Sequence, residues 1–195
     1  MLNWNKYYKI TELENPSIIL KKFFEMKLDN ITLKRAIDLG CGSGNDTIYL
    51  LKKNYFVTAV DKEKDVIDII KNRISDTSNL KFIIEKFENI RLAENQADLV
   101  VSNLSIYFCN PKFFKKFCNE FTNAISKNGY FVGNFLGKED EWSKDTNRTF
   151  VDEKEIKDIF KNFKIIYLKE KKYQKLTAKG NMKFWHVYEI IAKKL

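Results

Sequence analysis

Short apolar runs alternate with longer amphipathic runs along most of the chain, and this alternation restricts the possible folds more than any other feature. The strand-like runs are RAIDLG, YFVTAVD, LKFIIE, ADLVVSN and GYFVGNFLG. The helix-like runs with apolar residues at helical spacing are NDTIYLLKK, KEKDVIDIIKNRI, PKFFKKFCNEFTNAIS and DEKEIKDIFKNF. Because strands that alternate with helices pair in parallel, the sequence predicts an α/β fold with a parallel sheet and helices on both faces.

Local signals predict several helix ends. Asn45 and Asp46 are candidate N-terminal caps of the helix NDTIYLLKK. Pro111 is expected to open a later helix, and Asn128-Gly129 to stop it. Pro16 is placed to open a helix in the lead-in that precedes the first strand.

The end of the chain breaks the alternation. FKIIYLKE and MKFWHVYEIIAKK are strand-like, and no helix lies between them, so they are expected to pair antiparallel. No repeat or low-complexity linker divides the sequence. We therefore expect a single domain over residues 1–195, with a helical lead-in or lid at 1–29 and the sheet core at 30–195.

Composition indicates a folded protein without a membrane anchor. Apolar residues make up 44% of the chain, yet no uncharged apolar run reaches the length of a membrane span. The start, MLNWNKYYKITELE, lacks the apolar centre of a secretory signal. Cys41, Cys109 and Cys118 are widely spaced, and His186 is the only histidine. These residues favour reduced cysteines, a cytoplasmic location and no metal site.

The net charge of +9 raises the possibility of a nucleic-acid partner. The basic residues are mostly lysines dispersed along the chain, whereas a dedicated phosphate clamp is typically built from arginine. A nucleic-acid partner is therefore possible but not favoured.

The stretch AIDLGCGSGNDTIYLL holds Gly40, Gly42 and Gly44 between a strand and a helix, and Asp61 ends the next strand. In a parallel sheet, ligands bind at the carboxyl ends of the strands, where a carboxylate can accept hydrogen bonds from a ribose diol. This arrangement predicts a nucleoside ligand. Asp38, just before the turn, adds a second acid that suits a ligand with a positive charge.

Two common nucleotide motifs do not fit this turn. A P-loop requires a GK[ST] sequence that is not present here. The dinucleotide fingerprint GxGxxG is also broken, because Asn45 stands in place of the third glycine, which comes one residue early. A nicotinamide-dependent oxidoreductase remains an alternative that the glycine spacing disfavours.

DLGCGSG followed by AVD resembles the S-adenosylmethionine (SAM) signature of the class I methyltransferases. The resemblance implies a Rossmann-like, seven-stranded, mostly parallel sheet of order 3-2-1-4-5-7-6 with an antiparallel last strand. It implies SAM as the cofactor, with Asp38 and the glycines around the methionyl part and Asp61 on the ribose. Lys86 stands where many members carry an adenine-binding acid, so Phe87 is expected to pack on the adenine instead. The implied cofactor-binding residues are Asp38, Gly40, Cys41, Gly42, Gly44, Asp46, Asp61, Lys62, Lys86, Phe87, Asn103 and Leu104.

Further segments resemble small bacterial methyltransferases related to the tellurite-resistance type, whose members act on small molecules or have unknown substrates. The segments are Trp4 with Tyr8, GSGNDT, SNLSIYFCNPKFF, GNFLGKEDEW and KFWHVYEIIAKK. An antiparallel last strand begins at the ligand face, so its first residues should lie near the acceptor. His186 is a candidate general base, or else a polar strand residue bonded to a neighbour. The expected acceptor pocket consists of Trp4, Tyr8, Tyr107, Trp142 and Trp185.

These features favour a SAM-dependent methyltransferase with a small-molecule acceptor. An RNA or protein methyltransferase, and a SAM-binding protein without methyl transfer, remain alternatives. The run N-L-S-I that begins at Asn103 differs from the N/D-P-P-Y motif of nucleic-acid amino methyltransferases, which argues against methylation of base amino groups.

Overall fold

A computed structural model describes residues 4–195, in which seven strands form one mixed sheet of order β3-β2-β1-β4-β5-β7-β6. Strands β1 to β5 run parallel, and β7 lies antiparallel between β5 and β6. The strands are β1 Arg35–Leu39, β2 Phe56–Asp61, β3 Leu80–Ile84, β4 Ala97–Ser102, β5 Ile125–Leu136, β6 Phe163–Leu176 and β7 Met182–Lys194. The predicted sheet, its strand order and its antiparallel end are confirmed.

Six α-helices flank this sheet in the described part of the chain. They are α1 Trp4–Thr11, α2 Ile18–Glu25, α3 Asn45–Lys52, α4 Val66–Lys71, α5 Pro111–Ala124 and α6 Glu153–Ile159. Short 3-10 turns lie at Ile106–Phe108 and Glu141–Lys144. None of the helices in residues 4–195 has the length and apolar content needed to cross a bilayer.

Two local predictions were wrong. Helix α5 ends at Ala124, and Asn128-Gly129 lies inside β5, where the pairing with β4 shifts register. Asn128 has a φ of 66°, and a Cβ on Gly129 would lie 2.9 Å from the carbonyl oxygen of Asp98. The pair therefore allows an irregularity in a strand, not a helix stop, because strand pairing begins directly after α5.

The N-terminus of α3 also differs from expectation. Its cap is Gly44 at a φ of 84°, with no side-chain cap, so Asn45 and Asp46 do not cap the helix. Their side chains instead contact the N-terminal segment: Asn45 Nδ2 donates to Thr11 O at 2.7 Å, and Asp46 Oδ1 accepts from Ser17 N at 2.6 Å.

The two faces of the sheet are buried by separate apolar clusters. On one face the α5 side chains Phe117 and Phe121 pack with Phe131 of β5, as expected for a core helix rich in phenylalanine. On the other face Phe23 of α2 packs edge-on against Tyr130 of β5. Burial on both faces fixes the strands, so the loops at their carboxyl ends are held on a rigid support.

Candidate active site

A cavity of about 350 Å³ lies at the carboxyl ends of β1, β2, β3 and β4. The glycine turn after β1 forms its floor, and α1 with the segment that follows it contributes the opposite wall. The lining residues predicted from sequence are Trp4, Tyr8, Asp38, Gly40, Cys41, Gly42, Asp46, Asp61, Lys62, Lys86, Phe87, Asn103 and Leu104. The structure thus brings together the predicted cofactor residues other than Gly44, but only Trp4 and Tyr8 of the five expected acceptor residues.

The three glycines of the turn serve two structural roles. All three have positive φ, at 73°, 51° and 84° for Gly40, Gly42 and Gly44. A methyl group on Gly40 would overlap Ser105, and one on Gly44 would overlap Ile70. Gly40 and Gly44 therefore allow close packing of neighbouring elements. Gly42 faces the cavity instead, because a Cβ there would meet only the ring of Tyr8, at 3.4 Å.

The glycine turn after β1 is held in place by groups that the sequence analysis did not identify. The amides of Gly40 and Cys41 donate to the carbonyl oxygen of Val60 at 2.8 and 2.9 Å, which ties the turn to β2. Arg73, which follows α4, donates from Nη1 to Ser43 O and from Nη2 to Asn45 Oδ1 at 2.9 Å. The turn is therefore formed before any ligand binds.

Asp61 at the end of β2 accepts three hydrogen bonds. Gly42 N donates to Oδ2 at 3.0 Å, and Glu63 N and the Tyr8 hydroxyl donate to Oδ1, both at 3.1 Å. The two amides are fixed parts of the backbone. The Tyr8 hydroxyl belongs to α1, and it occupies part of the hydrogen-bonding capacity that a ribose diol would require.

Asp38 and Asp46 are both buried in the same wall of the cavity. Asp38 Oδ2 accepts from the Thr47 hydroxyl at 2.6 Å. Desolvation, and then the charge of Asp46, raises the pKa of Asp38 to about 8, and desolvation also raises the pKa of Asp46. Within residues 4–195, no lysine or arginine forms an ion pair with Asp38, Asp46 or Asp61. The site therefore concentrates carboxylates that a cationic ligand would neutralise.

Helix α1 closes over the cavity through aromatic contacts. The ring of Trp4 stacks on Tyr8 at 6.0 Å between centroids and meets Phe108 edge-on at 5.0 Å. Lys62 Nζ lies 4.9 Å from the Trp4 centroid. The hydroxyl of Thr11 is 3.2 Å from that of Ser43 in the glycine turn. The described part of the N-terminal segment is thus bonded to the cofactor side of the site.

The end of β3 supplies an aromatic wall. Phe87 lines the cavity and stacks on Phe117 of α5, with centroids 4.5 Å apart and planes 17° from parallel. Glu85 also lines the cavity, and its Oε1 accepts from the Lys86 amide at 2.8 Å. Phe87 is accordingly held in place by the core, which suits a residue that packs on an adenine ring.

Four residues predicted for the acceptor side do not line this cavity: Tyr107, Trp142, Trp185 and His186. His186 is buried under Gly137, and both of its ring nitrogens have partners. Nδ1 accepts from the Glu139 amide at 3.1 Å, so Nε2 carries the proton and donates to Glu170 Oε1 at 2.8 Å. His186 is therefore not placed to act as a base on a ligand in this cavity, and the alternative of a strand residue bonded to neighbours fits its contacts.

The two C-terminal tryptophans surround a buried ion pair instead of an acceptor. Lys183 Nζ donates to both carboxylate oxygens of Asp140 at 2.6 Å. The same Nζ lies 4.3 Å from the centroid of Trp142 and 3.7 Å from that of Trp185. This cluster fixes the loop after β5 against the start of β7, which explains the aromatic residues there without a ligand.

Several residues of the cavity wall were missed from sequence because they meet it only through the tertiary fold. They are Thr11, Glu14, Asn15, Ser17, Ser43, Asn45, Glu85 and Glu88. Gly44 was expected to touch the cofactor and instead packs against α4, outside the lining.

Comparison with known proteins identifies the central part of the chain. Residues 36–129 match the family described as "Methyltransferase domain". Ribosomal RNA small subunit methyltransferase A of Mesomycoplasma hyopneumoniae (strain 232) is 33% identical over 101 residues, which cover 51% of this chain and 39% of that protein. Histidine protein methyltransferase 1 homolog of Dictyostelium discoideum is 30% identical over 159 residues, covering 72% of this chain and 50% of that protein. The chain thus spans half or less of the length of these curated relatives.

Solved structures establish the fold. TehB from Haemophilus influenzae matches with a TM-score of 0.73 and 19% sequence identity, over 91% of this chain and 61% of that chain. Further structures with the same fold are SAM-dependent methyltransferases, including one bound to S-adenosyl-L-homocysteine (SAH). The resemblance to SAM-dependent methyltransferases, including the tellurite-resistance type, is confirmed at the level of domain and fold. Residues 36–129 match the methyltransferase domain family, and the chain has the Rossmann-like fold seen in solved SAM-dependent methyltransferases.

Proposed function

We propose that this chain is a SAM-dependent methyltransferase that acts on a small-molecule acceptor. The observation that carries the proposal is the set of three carboxyl groups, Asp38, Asp46 and Asp61, buried around a preformed glycine turn. None of the three forms an ion pair with a lysine or arginine among the described residues. Burying several carboxylates without a counter-ion is unfavourable, and a ligand with an ammonium and a sulfonium group would supply the missing positive charge.

The individual residues suit the parts of SAM. Asp38 and the turn at Gly42 take the methionyl end, Asp61 takes the ribose hydroxyls, and Phe87 packs on the adenine. The Tyr8 hydroxyl already donates to Asp61. When the ribose binds, this hydrogen bond must break, or Asp61 must accept from Tyr8 and the ribose together. SAM supplies a methyl group that is activated by its sulfonium, and the chain's own task is to align the acceptor and exclude water.

The partial roof that α1 forms over the cavity favours a small acceptor. Trp4, Tyr7 and Tyr8 of α1 line the wall opposite the glycine turn, and the cavity is only about 350 Å³. A molecule of metabolite size fits such a space under a lid, whereas a helical RNA or a folded protein would need the roof to open. The three free, buried cysteines also support our proposal of a reducing, cytoplasmic location.

An RNA or protein acceptor is the second candidate. The similarity to an rRNA methyltransferase and to a histidine protein methyltransferase supports it, as does the net charge of +9. Non-specific RNA binding falls steeply as salt rises. A sequence-selective RNA complex that survives addition of concentrated salt would favour this second candidate.

Calorimetry with SAM, SAH and NAD tests the cofactor. We expect SAM and SAH to bind and NAD not to bind. Asp61→Ala should weaken SAH binding at least tenfold, because each charge-assisted bond to the ribose contributes about 1.5–3 kcal/mol. Asp158→Ala, which removes an exposed carboxylate on α6, serves as the matched control. Tight NAD binding, or SAH binding that Asp61→Ala leaves unchanged, would contradict the proposal.

Labelled SAM tests the acceptor class. The protein is incubated separately with a small-metabolite extract, with total RNA and with unfractionated protein, and the labelled product is identified in each. Label in the metabolite fraction supports the small-molecule proposal. Label confined to RNA or protein overturns it.

A further inference from the structure

The turn after β4 is fixed by one buried amide side chain that the cofactor site does not use. Asn134 of β5 donates from Nδ2 to Asn103 Oδ1 at 2.8 Å and accepts from the Leu104 amide on Oδ1 at 2.7 Å. Asn134 is buried, and Leu104 has a φ of 47°, which a leucine rarely adopts. A strained backbone position persists only when its surroundings hold it there, and Asn134 is part of those surroundings.

These two bonds decide which way the Asn103 amide faces. A backbone N–H can only donate, so the Asn134 atom that meets Leu104 N must be the oxygen. The other polar group of the Asn134 side chain is therefore the NH₂ group, and the Asn103 atom that accepts from it must be the oxygen. Oδ1 of Asn103 is thus engaged by Asn134, and Nδ2 is the atom left to contact a ligand.

Asn103 lines the cavity and is only half-buried. Among the described residues, Asn103 Nδ2 has no hydrogen-bond partner. This atom is accessible, unlike the buried polar atoms that have no partner. The β4 side of the cavity therefore presents a donor whose direction is fixed by β5. It lacks the amide oxygen that an amine N–H would require at this position.

The carboxylates of the cavity come mainly from the other half of the sheet. Asp38 is near the end of β1, Asp61 ends β2, and Glu85 follows β3. In the strand order β3-β2-β1-β4-β5, these three groups lie on the far side of β4 from Asn134, whereas Glu88 Oε1 accepts from Asn110 N at 2.9 Å in the connection that follows β4. The acidic half of the cavity, at the ends of β1, β2 and β3, suits the cationic cofactor. The other half, where Asn103 offers its amide donor after β4, adjoins the part of the cavity that the cofactor leaves free.

We propose that Asn134 is a positioning residue that turns the Asn103 N–H toward the methyl acceptor, and that the acceptor group arrives deprotonated, as a thiolate or carboxylate, and not as an amine. The inference rests on the proposed function, since Asn103 faces an acceptor only if the cavity holds SAM. A lone pair of the acceptor forms the new bond to the methyl carbon while the carbon–sulfur bond breaks, and the electron pair of that bond stays on sulfur. An acceptor without a proton needs no base in this step, which agrees with the position of His186 outside the cavity.

Two planar probes of equal shape and opposite polarity test the inference on SAH-bound protein: benzoate, which accepts hydrogen bonds, and benzamidine, which donates them. Calorimetry should show benzoate binding at least tenfold more tightly than benzamidine. The side-chain ¹⁵N signal of Asn103 should shift on addition of benzoate. A purely structural role of Asn134 would leave that signal unmoved, and benzamidine, a cation attracted by the carboxylates of the cavity, would bind at least as tightly as benzoate.

Asn134→Asp reverses the polarity at the same site. One carboxylate oxygen still accepts from Leu104 N, and the other now requires a donor, so the Asn103 amide rotates and exposes Oδ1 to the cavity. We expect the benzoate preference to fall at least tenfold. Asn103→Asp should produce the same loss if the first variant fails to fold, because a carboxylate at this position cannot donate. Asn119→Asp adds the same charge at an exposed position of α5 and should change nothing.

The outcomes separate this inference from the proposed function. No SAH binding defeats the proposed function. SAH binding with benzamidine equal to or tighter than benzoate, or with neither probe bound at millimolar concentration, defeats the inference alone. A benzoate preference that survives both the Asn134→Asp and Asn103→Asp substitutions also overturns it.

Discussion

Replacing Asp38 by asparagine should stabilise the ligand-free protein and weaken cofactor binding at the same time. Asp38 is buried beside Asp46, and its pKa is raised from 3.8 to about 8. At pH 7 the folded state therefore holds a proton that the unfolded chain releases. Asparagine has the same shape, carries no charge at any pH, and can still accept from the Thr47 hydroxyl.

The magnitude follows from proton linkage. One pKa unit corresponds to about 1.36 kcal/mol, and keeping Asp38 protonated at pH 7 spans about three units, or about 4 kcal/mol. Because the folded pKa lies above the unfolded value, the stability contribution of Asp38 is complete below about pH 4 and is lost as the pH rises to about 8. We expect the Asp38→Asn substitution to raise the free energy of unfolding by about 2–4 kcal/mol at pH 7, and by little at pH 4.

Urea unfolding at pH 4, 7 and 8.5 measures the stability, and calorimetry with SAH measures the binding. Asp158→Asn is the control, because it removes an exposed carboxylate on α6. SAH affinity should fall at least tenfold in Asp38→Asn, since a charge-assisted bond to the ligand ammonium contributes about 1.5–3 kcal/mol. A variant less stable than the wild type at pH 8.5, or one that binds SAH equally well, would refute the reasoning.

Two further substitutions probe the lid and the C-terminal strand. Tyr8→Phe keeps the ring but removes the hydroxyl that bonds Asp61, so SAH affinity should rise, by up to about tenfold for a bond of about 1.4 kcal/mol. Calorimetry measures this affinity, with Tyr7→Phe as the control. A fall in affinity would mean that the Tyr8 hydroxyl contacts the ligand. His186→Gln removes the bonds to Glu139 and Glu170 and should lower thermal stability, while SAH affinity and turnover stay within about twofold of the wild-type values. A tenfold loss of turnover at unchanged stability would restore His186 as a candidate base.

The parts of the fold that could be predicted depend on local sequence. Each strand and the helix after it are encoded within a few tens of residues, and the glycine turn with Asp38 and Asp61 belongs to one such unit. The wrong helix stop at Asn128-Gly129 has a local origin as well, since the same dipeptide suits a helix end and an irregular strand. Sequence periodicity alone does not distinguish these two uses.

The acceptor side could not be predicted, because its geometry depends on contacts between distant segments. The argument from strand direction placed His186 at the correct end of the sheet, but β7 is separated from β1 by β4 and β5. Trp185 likewise packs against Lys183, which forms an ion pair with Asp140, 43 residues earlier in the chain. A signal for Asn134 did exist, since it is a polar residue inside the otherwise apolar run GYFVGNFLG.

The division of the cavity into an acidic half and a donor half gives α1, which we propose to be a lid, a chemical role. Helix α1 bonds Asp61 through Tyr8 and packs on Phe108 through Trp4, so it touches the turns after both β2 and β4. Closing it removes water from both halves at once, which strengthens the attraction of the carboxylates for a cation and of the Asn103 N–H for an anion. A sulfonium and a deprotonated nucleophile would then face each other across the boundary between the halves. Each would be held by groups of opposite charge or polarity that the sheet has already placed.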